Sequence, residues 1–350
     1  MKVFAIGVVA SAATASAQLE DLGFEFVTIG DPGNRAYSLP SDRAGSLTNF
    51  VDGRGSVSYA FRMSKSEINV GQWVSFANRF TARSEELDDL LQPPVTSVAT
   101  RNFLPGPGET YSVPAGLERA QVPLSAPQVM MYLNWLHNDR PSTVEHLLTG
   151  AYDVGSLDGA GGIVLNEKAV RQPGARFWIP TLDEYLKAAH YDPAKDGTDP
   201  GWWDYAHTSD IAPTAGLPSS GDVARGLTTE EIRGLTQGIS AVHTGLPLML
   251  YPDSVSPWGI HDLLGGRPEL IDERNPFDRP SFAGDDFNFT VKASSDNALL
   301  FLSDVDRIEQ FLSRSSSESN VNVHIVTLVP SPWSVAVGVV GVGMLGRRRG

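Results

Sequence analysis

The chain has 350 residues, with 27 Lys and Arg against 41 Asp and Glu, a net charge of −14, and no cysteine. The missing cysteine excludes disulfides, zinc-thiolate and iron–sulfur centres and thiol nucleophiles, and the acidity argues against nucleic acid, whose phosphates need clustered Lys and Arg. A hydrophobic fraction of 41% supports a sizeable core, while 34 Gly and 24 Pro point to a loop-rich globule rather than a helical bundle.

In chain order, Met1-Lys2, the apolar run from Val3 to Ala15, and Ala15-Ser16-Ala17 before Gln18 have the pattern of a secretory signal peptide. Residues 1–17 are therefore expected to be removed on export. Phe24 to Ile29 and Val57 to Met63 read as short strands, separated by a turn signal at Asp31-Pro32-Gly33-Asn34. Asn69-Val70-Gly71 opens a helix with Trp73, Phe76, Ala77 and Phe80 on one face. A second helix follows Ser125-Ala126-Pro127, with proline in its first turn and an apolar stripe of Val129, Tyr132, Leu133 and Leu136. A third starts at Thr181, whose hydroxyl caps the helix with Glu184 as capping-box partner. Its stripe is Leu182, Tyr185, Leu186 and Ala189. The expected fold class is α+β, one loop-rich domain over residues 18–329.

Two oxygen-rich stretches suit a hard cation such as calcium: Asp192, Asp196 and Asp199 around Gly197, and Asp285, Asp286 and Asn288. Neither has EF-hand spacing. Trp202, Trp203 and Tyr205, close to carboxylates, are the candidate ligand-binding residues, a platform for a glycan or peptide; Trp178 and Trp258 read as core. Histidines stand at 137, 146, 190, 207, 243, 261 and 324 with no His-Glu-x-x-His, so they read as structural or surface groups. Neighbouring carboxylates such as Glu85-Glu86 and Asp183-Glu184 read as solvated faces rather than an acid/base pair. No Gly-x-Ser-x-Gly elbow or Walker loop is present.

Several blocks together resemble the sulfatase-modifying-factor family, the formylglycine-generating-enzyme-like domain. Phe61 to Trp73 resembles its opening strand and helix; Val122-Pro123-Leu124-Ser125 with Asn134-Trp135-Leu136 resembles its second block. Ile179 to Ala189 is similar to the Leu-Pro-Thr-Glu-x-Glu-Trp-Glu-x-Ala-Ala block, and Ser256 to Gly265 to Asn-Pro-Trp-Gly-Leu-x-Asp-Met-x-Gly. Trp203-Asp204-Tyr205 resembles a loop of an exported bacterial subgroup, and Val323 to Val326 stands where the family closes with its last strand. The resemblance implies a C-type-lectin-like fold. At the C-terminus, Val329-Pro330-Ser331-Pro332, an apolar run from Trp333 to Gly346 and Arg347-Arg348-Arg349 resemble the PEP-CTERM sorting signal. For residues 330–350 that implies transient membrane anchoring, processing by exosortase-type machinery and a cell-surface or extracellular location.

The departures from the family bear on function. The family oxidises a substrate cysteine with a cysteine pair of its own, and this chain has none. Where the family reads Asn-Val-Trp-Glu-Trp, a block that helps hold calcium, the chain has Gly266-Arg267-Pro268-Glu269-Leu270, in which Glu269 alone survives as a candidate ligand. The resemblance therefore implies an exported, non-catalytic binding or structural module for a glycan, peptide or envelope component. The alternative is a cysteine-independent, metal-dependent enzyme on the same scaffold.

Overall fold

In the computed structural model, residues 22–43, 51–80, 87, 90–92, 99–102, 109–160, 162–166, 169–213, 247–264, 267, 269–274, 288–292, 304–306, 310–313 and 321–330 are described. Strand β1 (Phe26–Ile29) and strand β2 (Phe61–Ser64) pair antiparallel, with Phe26 opposite Ser64 and Ile29 opposite Phe61. The turn between the strand and the chain that follows uses Asp31 and Gly33, both with positive φ. This is the local bend that the Asp-Pro-Gly-Asn sequence encodes.

Helix α1 (Val70–Ala77) begins at a reciprocal capping box: Asn69 Oδ1 accepts from the Gln72 amide and Gln72 Oε1 accepts from the Asn69 amide, each at 2.9 Å. The short hairpin β3 (Thr100–Arg101) and β4 (Tyr111–Ser112) precedes α2 (Ala126–His137), which is capped the same way by Ser125 and Gln128 and carries Pro127 in its first turn. Ten of its residues, Pro127 to Leu136, are buried, so α2 is a central helix rather than one with a single apolar stripe. Trp73 and Phe76 of α1 meet Tyr132 and Trp135 of α2, with Phe76 5.1 Å from both of the α2 ring centroids. Tilted and edge-on rings of this kind fill the space between two helices better than aliphatic chains of equal length.

A single turn, α3 (Glu145–Leu148), and the hairpin β5 (Gly155–Leu157)–β6 (Ile163–Leu165) lead to β7 (Phe177–Trp178) and helix α4 (Leu182–His190). Thr181 and Glu184 form the expected capping box. Glu184 does more than cap. Its buried carboxylate also accepts Trp178 Nε1 at 3.1 Å and the Tyr59 hydroxyl at 2.7 Å, which seats the helix on the sheet.

The acidic stretch after α4 is not a cation loop. It is a hairpin of β8 (Tyr191–Asp196) and β9 (Asp199–Trp202), turning at Gly197 with φ +85°. Asp192 is occupied within it, accepting from the Ala194 amide at 2.8 Å and from Trp203 Nε1 at 3.1 Å. Strands β10 (Glu269–Arg274), β11 (Asn288–Lys292) and β12 (Gln310–Ser313) form a second antiparallel sheet.

The last strand, β13 (Val326–Leu328), starts three residues later than the sequence suggests. It inserts between β2 and β7 to complete the sheet order β1-β2-β13-β7. The end of the chain is thereby locked beside its beginning. The architecture is mixed helix and sheet with many loops, in one domain. Among the described residues no helix is long and apolar enough to cross a membrane. The terminal segments 1–17 and 331–350 lie outside the described residues.

Candidate functional site

Where β13 meets the turn between β2 and α1, the fold buries a group of ionisable side chains. Glu67, Glu269 and His324 are each 0% exposed. His324 Nε2 lies 3.0 Å from the His261 carbonyl, and an oxygen that only accepts requires the ring proton to sit on Nε2. His324 Nδ1 lies 2.6 Å from Glu269 Oε1. Burial lowers the His324 pKa and raises that of Glu269 to about 8, so both groups are driven toward their neutral forms. Glu269 Oε2 takes the His324 backbone amide at 3.3 Å. Burial, then the neighbouring Glu269 carboxylate, push the Glu67 pKa well above its usual value. Gln121 Nε2 donates to Glu67 Oε2, and Gln121 Oε1 accepts the Arg267 amide at 3.1 Å. The result is a buried joint that ties β10 and β13 to the loop carrying Glu67.

Calcium does not fit this arrangement. A hard cation needs ionised, available carboxylate oxygens. Glu269 gives both oxygens to His324, and Gly266 brings no side-chain oxygen. Among the described residues no group of three or more His, Asp or Glu is arranged to hold a metal. Of the other candidate ligands, Asp285 and Asp286 lie outside the described residues, and Asn288 is described only as the first position of β11, opposite Ser313.

The predicted aromatic platform is not laid open. Trp202 stands between Tyr37 and Tyr191, at centroid distances of 5.6 and 5.2 Å, and its ring covers Gly55. Trp203 has the Lys195 ammonium 4.4 Å above its ring. Tyr205 is buried and pairs with Ser209 through the backbone. These residues pack the β8–β9 hairpin onto the body, because each ring finds another ring or a cation before it finds solvent. Trp178 is core, as expected, whereas Trp258 is half-buried, donating Nε1 to the Lys187 carbonyl at 3.2 Å. The histidines at 137, 146, 190 and 207 are dispersed, and His243 lies outside the described residues.

In front of the buried joint lies an open cleft of about 490 Å³ that the sequence reading did not identify. One side is the loop Lys65-Ser66 and the first turn of α1; the other is Glu118-Arg119 with Leu248-Met249. Gly71 permits this geometry, since a Cβ there would stand 3.1 Å from the Glu118 carbonyl. Lys65 Nζ pairs with Glu25 at 2.7 Å, which holds the Glu25 pKa below its usual value. Met249 has φ +59° and Asp262 φ +61°, both in the left-handed region that side chains disfavour. Asp262 holds Met249 there by accepting its amide on both oxygens, at 3.0 and 2.8 Å. Strain kept at a cleft wall by a dedicated hydrogen bond is a mark of a functional surface.

No residue lining the cleft is a histidine, and its Glu25 is driven toward charge rather than neutrality. The cleft therefore offers charged and amide side chains to a polar or charged ligand. Its signal in the sequence was faint: Lys65 and Glu67 sit in the opening block, but Arg119 and Met249 belong to no motif.

No known protein family matches the chain, and no curated protein does. Among solved structures, it is similar to CarF, at 15% identity over 88% of this chain and 99% of CarF with a TM-score of 0.48. It is similar to Treponema denticola variable protein 1, at 14% identity over 87% of this chain and 95% of that one with a TM-score of 0.48. A third similarity is to PvdO from Pseudomonas aeruginosa, at 12% identity over 87% and 92% with a TM-score of 0.39.

Proposed function

We propose that the protein is an exported, surface-sorted, non-catalytic binding module on a formylglycine-generating-enzyme-like, C-type-lectin-like scaffold. The observation that carries the reading is the separation of the two kinds of chemistry. Glu67, Glu269 and His324, with proton affinities shifted by burial, are sealed at 0% exposure, while the open cleft is lined by Glu25 paired with Lys65, by Glu118 and Arg119, and by amide side chains. The missing cysteine supports it, because thiol oxidation on this scaffold needs enzyme thiols. The signal-like residues 1–17 and the sorting-like residues 330–350 support the export part, with exosortase-type machinery as the processing partner and a glycan, peptide or envelope component as the ligand.

The test is a binding screen of the purified full-length protein against glycan and peptide panels, run beside a cysteine-peptide oxidation assay with metal analysis. Saturable binding without turnover supports the module. Oxidation of the peptide, or stoichiometric iron or copper in the protein as isolated, overturns it in favour of a metal-dependent enzyme.

A further inference from the structure

We propose that Arg119 makes the cleft a receptor for a ligand carboxylate, carried by a peptide C-terminus or by a uronic acid. The inference rests on the binding-module reading and assigns the ligand class of the same cleft.

The argument begins with an imbalance. The chain carries a net charge of −14, and three described arginines are held by carboxylates, Arg43 by Asp204 and Asp306, Arg54 by Asp183 and Glu273, Arg176 by Asp139, while Arg62 and Arg79 lie over aromatic rings. Arg119 shares its cleft with two carboxylates and, among the described residues, hydrogen-bonds to neither. Glu25 is turned to Lys65 at 2.7 Å, and Glu118 Oε2 accepts the Gly116 amide at 2.9 Å. Among the described residues, the Arg119 guanidinium has one hydrogen-bond contact, the Met249 sulfur 3.7 Å from Nη2, and its charge also helps lower the Glu25 pKa. A guanidinium presents five N–H donors in a fixed fork, and a thioether is a poor acceptor for any of them. What matches the fork is a carboxylate taken side-on through two parallel hydrogen bonds.

The backbone that carries the fork is held in place. The Leu248 amide donates to the Arg119 carbonyl at 2.8 Å, and Ala120 bridges to Pro247, so the residue is stitched to the loop that carries Met249. That loop owes its left-handed Met249 to Asp262. Preorganisation of this kind lowers the ordering cost of binding. Leu22, Leu248 and the Met249 side chain offer apolar contact to the remainder of a small ligand, and a volume near 490 Å³ suits a dipeptide or a disaccharide.

The experiment is isothermal titration of the full-length protein at low ionic strength with two matched pairs of probes: N-acetyl-Ala-Ala against its C-terminal amide, and digalacturonate against a neutral disaccharide. The acid of one pair is expected to bind at least about tenfold more tightly than its neutral partner, and the pair that responds identifies the carboxylate's source. Arg119→Gln is expected to abolish the preference, with Arg119→Lys recovering only part of it and the unfolding midpoint of both variants unchanged. Equal binding of acid and neutral probes, or an acid preference that survives Arg119→Gln, overturns the inference while leaving the binding module standing. Silence of all four probes also overturns it; the module reading itself falls only if the wider glycan and peptide panels are silent as well.

Discussion

Replacing Asn134 by alanine removes one side chain and breaks three buried hydrogen bonds. From α2, Asn134 Nδ2 donates to the Leu147 carbonyl at 2.8 Å and the Tyr152 carbonyl at 2.9 Å, and Oδ1 accepts the Tyr152 amide at 2.7 Å. The residue is 0% exposed. Alanine strands one amide and two carbonyls, each costing about 1–3 kcal/mol when left unpaired in a dry site. The carbonyls have second lone pairs, and a water entering the vacated space can restore part of the loss, so the total expected is about 3–5 kcal/mol. Asn134→Asp keeps the shape but turns two donors into acceptors facing carbonyl oxygens, and is expected to cost at least as much.

Asn138, one turn on, is the internal control. Its Nδ2 donates to the His146 and Thr149 carbonyls at 2.9 and 2.8 Å, the same chemistry on the same segment but at a half-buried position where water can substitute. Asn138→Ala is expected to cost about 1 kcal/mol. Urea unfolding followed by far-UV circular dichroism measures all three variants, with m-values compared to check for a common unfolded state. If Asn134→Ala costs no more than Asn138→Ala, or Asn134→Asp stays within about 1 kcal/mol of wild type, the argument from burial is wrong.

Three further outcomes follow from the geometry. Glu269 has its pKa raised from 4.5 to about 8 in the folded state, chiefly by burial, so the native protein binds its proton more tightly than the unfolded chain. That stabilisation is full below about pH 4.5 and is lost as pH rises through about 8. Glu269→Gln, which copies the protonated acid, is expected to gain on wild type as pH rises from about 5 to about 8 and to hold level above that; a thermal-midpoint difference that stays constant from pH 5 to 8 defeats the assignment. Gly55 has φ +83°, and a Cβ there would lie 2.3 Å from the Trp202 ring, so Gly55→Ala is expected to cost about 2–4 kcal/mol with a shifted tryptophan emission. Calcium and chelator are both expected to leave the unfolding midpoint of the full-length protein unmoved, since a ligand of the native state must raise it; a calcium-dependent rise would restore a metal site.

Local signals carried most of the fold that could be read from sequence. Thr181 with Glu184 announces α4, and the same side-chain logic, with Gln at the third position, operates at Asn69–Gln72 and Ser125–Gln128. Period-based stripes placed Trp73 and Phe76, and Tyr132 and Leu133, on buried faces. What stayed hidden depends on partners far along the chain. Asp192, Asp196 and Asp199 read as a cation loop because alternation is obscured by acids, and only the pairing with β9 makes them a hairpin. Trp202, Trp203 and Tyr205 look like a platform until Tyr37, Tyr191 and Lys195 are brought over them. Glu269 was legible as a singular residue but not in its role, which depends on His324 and Glu67 arriving from opposite ends of the domain.

The buried joint and the cleft are mechanically one unit, which shows how a cysteine-free chain can hold two cleft walls in register. A disulfide or a metal is the usual means of fixing long-range loops. Here the His261 amide donates to the Lys65 carbonyl at 2.8 Å while the His261 carbonyl receives His324 Nε2, so the strand end that bears His324 sets the position of the cleft-lining Lys65. Asp262, the next residue, sets Met249 on the opposite wall. Both walls are therefore referenced to the same buried hydrogen bonds. His324→Phe fills the site but removes both ring contacts, so it should loosen Lys65 and Met249 together. Backbone amide exchange is expected to rise at Ser66 and Met249 in that variant, with little change at Leu133 on α2. Exchange that rises at only one wall would show that the two are held independently.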